Sequence, residues 1–223
     1  MQARLRPRAS HAFLSTAALV GLPRSPRTWL MAMTLVGVIG GGLAIIHAKE
    51  TDWLTHLSLS RLGSDAGASG ILNGTLVAIG LILVALAISL EGTFAGLRSA
   101  GRLSWRASRL LRIGFIGAGV AVGLAGVFRN DGQLPHLIHN LAGFATPIML
   151  IATVLGGRLA VGDLGRRFDR LSISILVVTA GLFVAAYAGH LMPYAVMELI
   201  CFVLIGALLW LFEARLEGVI GQL

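Results

Sequence analysis

Six long apolar segments dominate this sequence and limit what the chain can fold into. A helix that crosses a bilayer needs about 20 mostly apolar residues. Six segments reach that length, at roughly 29–48, 70–90, 110–128, 137–156, 171–190 and 195–212. Charged residues make up only 13% of the chain, whereas a water-soluble domain carries about 25%. The sequence therefore predicts an all-α integral membrane protein, a six-helix transmembrane bundle.

The last two segments are separated only by HLMPY, which ends in Pro193 and Tyr194. Proline ends or kinks a helix, so this short connection predicts a tight turn between two antiparallel helices. One long kinked helix is the alternative, but its apolar length would exceed what a single crossing needs.

The third segment contains a stripe of small residues. Gly119 and Gly123 stand four residues apart, which is the spacing that lets two membrane helices approach closely. The pattern predicts a glycine-lined helix contact on this segment.

The basic residues predict the orientation of the bundle. Fifteen of the 18 Lys and Arg residues lie in the N-terminal tail, the second connection with the start of the third segment, the fourth connection or the C-terminal tail; the others are Lys49, Arg61 and Arg129. The positive-inside rule places the basic side, with both termini, in the cytoplasm. The location is then the cytoplasmic membrane, with basic loops facing anionic lipid head groups. The net charge of +8 is explained by topology, so we expect no nucleic-acid partner.

These features divide the chain into three parts. Residues 1–28 form a cytoplasmic basic tail, 29–212 the transmembrane domain, and 213–223 a cytoplasmic C-terminal tail. The apolar stretch 12–22 resembles the core of a signal peptide, but PRSPR follows it instead of a small-residue cleavage site. We therefore expect it to be a cytoplasmic or interfacial segment.

Polar residues that could carry chemistry gather at the predicted external ends of the helices. The candidate cluster comprises Asn73, Asp131, His136, His139, His190 and Glu198. Glu198 lies about one turn inside the sixth helix. An ionisable group at that depth is costly and usually faces the bundle interior or a water-filled cavity. Glu198 is therefore expected either to be protonated or to pair with a neighbour such as His190 across the short turn.

His136 and His139 also raise the question of a metal site. Residues three apart share a helix face, so both imidazoles could bind one ion, with Asp131 as the first choice of further ligand and His190 or Glu198 as alternatives. Such a donor set would suit Zn²⁺. The alternative is that both side chains bond loop backbone at a wet interface, and His-x-x-His is common by chance.

The function that the sequence favours is non-enzymatic. The chain has no GxSxG, HExxH, P-loop or CxxC motif, so it predicts no cofactor and a structural, small-ligand-binding or partner-binding role. Two alternatives stay open. The His-x-x-His pair would fit a metal-dependent, membrane-embedded hydrolase acting on lipid at the outer leaflet, and Glu198 would fit a small proton-coupled transporter.

Three short stretches carry a family resemblance. LSLSRLG (57–63), ILNGTLVAIGLIL (71–83) and GLAGVFRND…HLIHN (123–140) occur in this order. Together they resemble the DUF998 family of bacterial six-helix membrane proteins. The family's Ser-x-Leu-Gly element, Asn, Phe-Pro-x-Asp segment and His correspond here to Ser60, Leu62, Gly63, Asn73, Phe128, Asp131 and His136 or His139. Arg129 stands where the family more often has Pro. The resemblance implies a six-helix bundle with an external polar cluster, and no activity.

Overall fold

Six α-helices make up the part of the chain that the structure describes. The computed structural model describes residues 25–49, 62–128, 133–160, 166–187 and 191–220. No strand occurs within these ranges, so the fold is all-α, as predicted. In chain order the helices are α1 (Pro26–His47), α2 (Ser69–Ser99), α3 (Trp105–Val127), α4 (Gln133–Ala160), α5 (Arg166–Tyr187) and α6 (Tyr194–Ile220).

Four of these helices, α1, α2, α3 and α6, are long and apolar enough to cross a membrane. Many large apolar side chains on α1 point outward instead of into the core, with Leu35, Val38 and Ile46 exposed by 61%, 69% and 76%. A water-soluble protein rarely leaves so continuous an apolar surface open. The chain is therefore a multi-pass membrane protein whose helices contact the bilayer.

Helix α3 lies between α2 and α4, and α1 packs on α2. The contact between α2 and α3 is made by glycine. A Cβ on Gly80 of α2 would lie 2.6 Å from the Gly119 carbonyl oxygen and 2.8 Å from the Gly123 amide nitrogen. The predicted glycine stripe on the third segment is therefore a helix contact, and its partner is a glycine on α2. Two helix backbones can touch in this way only where both lack side chains.

The connection between α2 and α3 has well-defined end signals. Gly101 has a φ of +70°, and the Arg102 amide donates to the Leu97 carbonyl at 2.9 Å. This is a glycine-terminated helix end, in which the last carbonyls, which have no helical donor, accept hydrogen bonds from the residues that follow. The Ser104 hydroxyl then accepts from the Ala107 amide at 3.2 Å and begins α3.

Helices α5 and α6 are separate, with Pro193 directly before the first residue of α6. They pack against each other, and α6 also contacts α1 and α4. The helices extend beyond their apolar segments: α2 continues to Ser99 and α6 to Ile220. Helical hydrogen bonding does not require apolar side chains, so the backbone continues into polar sequence where neighbouring helices support it.

Candidate functional site

The predicted external end of the bundle is organised by Asp65, in the turn before α2. Its buried carboxylate accepts hydrogen bonds from the Gly67 amide at 2.7 Å and the Ala68 amide at 2.9 Å. It also accepts from the amide of Lys49, just after α1, at 3.1 Å. One carboxylate thus fixes the turn that precedes α2 and ties that turn to the end of α1. The sequence shows Asp65 among the external polar residues, but nothing there indicates this role.

Gly67 and Asn73 complete the same junction. A Cβ on Gly67 would overlap the His47 carbonyl oxygen. Only glycine therefore fits against the end of α1. The Asn73 amide nitrogen donates to the Gly63 carbonyl at 3.0 Å, which fastens the turn onto α2. Its Oδ1 is buried and accepts no hydrogen bond from the described residues. Asn73 therefore acts here as a structural residue of the α1–α2 turn.

His139, in the second turn of α4, is buried against the end of α3. Its Nδ1 lies 2.8 Å from the Ala125 carbonyl oxygen and 2.9 Å from that of Phe128. Carbonyl oxygens only accept, so Nδ1 must carry the proton that both share. The last carbonyls of a helix lack helical donors, and His139 supplies one from the neighbouring helix.

Removing that donor should weaken the α3–α4 junction. We expect His139→Leu to lower the free energy of unfolding by about 1–3 kcal/mol, because it leaves buried carbonyls unpaired. His139→Asn, which keeps an N–H donor on a short side chain, should recover most of the loss. Unfolding can be followed with a fluorogenic maleimide that reacts with the single cysteine, Cys201, which is buried in the folded chain.

The neighbouring exposed histidine provides the control. His136→Leu should change stability by no more than about 0.5 kcal/mol, as is usual for exposed positions. Equal losses from His136→Leu and His139→Leu would contradict the assigned role of His139.

His136 and His139 thus have different surroundings although they share a helix face. His136 is exposed, and its Nε2 accepts from the Asn140 side-chain amide at 2.9 Å. Within the described ranges no three His, Cys, Asp or Glu side chains are placed to hold a metal ion. Asp131 and His190, the other predicted ligands, lie outside the described residues. The Zn²⁺ site and the predicted contact between His190 and Glu198 therefore stay predictions.

A cavity of about 420 Å³ lies between α4 and α6 and reaches α2, α3 and α5. Its polar lining is concentrated at the end where α4 and α6 begin: His136, His139, Asn140, Tyr194 and Glu198. Deeper in, it is walled by apolar side chains, among them Leu76, Val122, Phe144, Leu150, Phe202 and Ile205. Three of the predicted cluster residues, His136, His139 and Glu198, therefore line one cavity, whereas Asn73 belongs to the α1–α2 turn.

Two acidic residues at the opposite end of the bundle did not enter the sequence prediction. Glu91 of α2 pairs with Arg98 at 3.0 Å and with Arg112 of α3 at 3.8 Å. Glu213 of α6 is only 5% exposed, and its Oε1 accepts no hydrogen bond from the described residues. The i, i+4 spacing of Glu213 and Glu217 was the available signal that these two carboxyl groups lie on one helix face.

No family model matches this sequence, and neither a curated protein nor a solved structure does. The resemblance to the DUF998 family therefore stays a prediction.

Proposed function

We propose that this chain is a six-span protein of the cytoplasmic membrane, with both termini inside, that binds a small ligand in the cavity between α4 and α6. The role is non-enzymatic. The observation that carries the proposal is the cavity itself, because most of its described polar lining lies at one end of an otherwise largely apolar interior. Ligand sites are typically apolar clefts of about 300–1,000 Å³ with a few polar groups that orient the ligand.

The ends of the bundle support an even number of spans. Ala44 near the end of α1 and Ala195 at the start of α6 are buried in one small cluster. At the other end, Pro26 of α1 and Leu216 of α6 line the same small cleft. The first and last described helices therefore run antiparallel, as they would if both termini were on one side.

Arginine lies at the end opposite the cavity mouth, which supports a cytoplasmic assignment for that end. Arg98 and Arg112 are held by Glu91, and the Arg109 guanidinium lies over the ring of Trp105 at 5.4 Å. Trp105 is 63% exposed. Aromatic rings and arginine are favoured together at membrane interfaces, so we propose that this rim faces anionic lipid head groups.

Filling the cavity tests the proposal. Gly143 lines the cavity, and a Cβ there would meet no atom within 4 Å. Gly143→Leu should therefore place a side chain in the ligand's space without disturbing the protein. We expect molecules that co-purify with the wild-type protein, measured by mass spectrometry of solvent extracts, to fall at least about tenfold in this variant.

The control is a second open glycine outside the cavity. A Cβ on Gly74 of α2 would likewise meet no atom within 4 Å, so Gly74→Leu makes the same change and gains the same helix propensity, about 0.8–1 kcal/mol. It should retain the wild-type complement of bound molecules. If the two variants carry the same extracted molecules, ligand binding in this cavity is wrong.

A further inference from the structure

Two phenylalanines belong both to the wall of the cavity and to the outer surface of the bundle. Phe144 of α4 and Phe202 of α6 line the cavity, and they are exposed by 40% and 50%. The space inside the cavity does not account for this exposure, because Cys201 and Ile205 line the same cavity and are exposed by only 6% and 7%. The cavity therefore opens to the outer surface of the bundle beside these two rings.

On α4 the cavity lies next to an exposed apolar stripe. Leu141, Phe144 and Ile148 are exposed and stand three and four residues apart, so they share one helix face. Gly143 and Pro147 line the cavity. Because each of them comes one position before a residue of the stripe, about 100° away around the helix, the two faces adjoin. Phe144 belongs to both of them.

Helix α6 repeats this arrangement at a depth where lipid chains surround the bundle. Leu199, Phe202 and Val203 are exposed beside the cavity-lining face, and α6 is one of the helices that can cross a membrane. Phe202 lies about 12 Å along the axis from Tyr194 at 1.5 Å per residue, and tyrosine is favoured at the membrane interface. The opening is therefore well inside a hydrocarbon core of about 30 Å.

The lining at this depth suits hydrocarbon better than water. Val122, Leu150 and Ile205 form the inner wall together with the two phenylalanine rings. A buried water needs two to four polar partners, and these side chains offer none. An empty space would leave them without contacting atoms, whereas an alkyl chain from the adjoining bilayer supplies such contacts.

We propose that the acyl chain of a surrounding membrane lipid fills the cavity, entering from the bilayer beside Phe144 and Phe202 while its head group stays at the interface. This inference rests on the proposed function and names the class of its ligand. The cavity wall is continuous with the lipid-facing surface of α4 and α6, so the chain reaches the cavity without crossing water.

Photolabelling of the full-length chain in phosphatidylcholine nanodiscs tests the inference. The probe is a phosphatidylcholine that carries a diazirine near the end of one acyl chain, and labelled residues are identified by mass spectrometry after digestion. We expect adducts on the buried cavity residues Cys201 and Ile205 as well as on Val38 of α1, which is exposed on the outer surface. Adducts on exposed residues alone would overturn the proposal.

A second probe, with the diazirine in its head group, needs no variant. It should leave Cys201 and Ile205 unlabelled, because only the chain enters the cavity. Equal labelling of these two residues by both probes would contradict entry by the chain.

Gly143→Leu and Gly74→Leu provide the matched variants. The leucine at 143 takes up cavity space that the chain would need, so labelling of Cys201 and Ile205, measured against Val38 in the same sample, should fall at least about tenfold. Gly74→Leu should leave that ratio unchanged.

The same pair separates this inference from the proposed function. If Gly143→Leu loses a molecule that co-purifies with the wild-type protein, but the acyl-chain probe does not label Cys201 or Ile205 in the wild type, only the ligand class is wrong. If Gly143→Leu changes neither the extracted molecules nor the labelling, the cavity is not the binding site, and both proposals fail.

Discussion

Asp65→Ala should lower the free energy of unfolding by about 3–5 kcal/mol, because three backbone amides lose their acceptor. The carboxylate accepts from the amides of Lys49, Gly67 and Ala68, and alanine would leave all three without that acceptor. An unpaired buried donor costs about 1–3 kcal/mol. Most domains are stable by only 5–15 kcal/mol, so the yield of folded protein should also fall. Maleimide labelling of Cys201 during unfolding measures both quantities.

Asp65→Asn separates the two functions of this carboxylate. Oδ1 accepts from Gly67 and Ala68, and an asparagine carbonyl can keep those bonds. Oδ2 makes the shorter contact with the Lys49 amide, at 3.1 Å, and an NH₂ group there would meet another donor. We therefore expect an intermediate loss from Asp65→Asn. If asparagine and alanine destabilise equally, the tie between α1 and α2 is not a separate contribution.

Gly80→Ala should destabilise the bundle by about 1–3 kcal/mol, although alanine is the better helix former. The added methyl would lie 2.6–2.9 Å from backbone atoms of Gly119 and Gly123. Backbone cannot rotate away as a side chain can, so α2 and α3 must separate along their contact. Overpacking of this kind typically costs about 1–3 kcal/mol. The thermal midpoint in detergent, read through Cys201 labelling, measures the change.

Gly74→Ala on the same helix is the matched comparison. Its Cβ would meet no atom within 4 Å, so the change should leave only the gain in helix propensity, up to about 1 kcal/mol. The two glycine substitutions should therefore shift the midpoint in opposite directions. A stabilising Gly80→Ala would show that α2 and α3 are not in backbone contact at this point.

The helices could be predicted from the sequence because their determinants are local. Runs of about 20 apolar residues favour helix in a membrane, where every backbone group must bond within its own segment. Glycine at 101 and serine at 104 mark helix ends by their own backbone and side-chain chemistry. The glycine stripe at Gly119 and Gly123 also predicted a close contact, but not that Gly80 would be its partner.

The candidate site could be predicted only in part, because the packing of the helices gives its residues different surroundings. His136 and His139 are equivalent in spacing, yet His139 bonds carbonyls 14 and 11 residues away, while His136 bonds Asn140 on its own helix. The sequence groups Asn73 with them because it is predicted to lie at the same membrane depth. Its side-chain amide instead donates to the Gly63 carbonyl in the turn before α2. Glu198 lines the same cavity as the two histidines.

The sequence by itself determined that this chain is helical and membrane-embedded, because hydrophobicity and charge act segment by segment and need no knowledge of neighbours. Only the tertiary structure decided that Asp65 joins α1 to α2, that His139 binds the end of α3 and that a cavity lies between α4 and α6. Those features depend on which helices lie side by side. Side-chain contacts between residues far apart in sequence produce no periodic pattern. The different roles of the polar residues therefore could not be predicted before the packing of the helices was known.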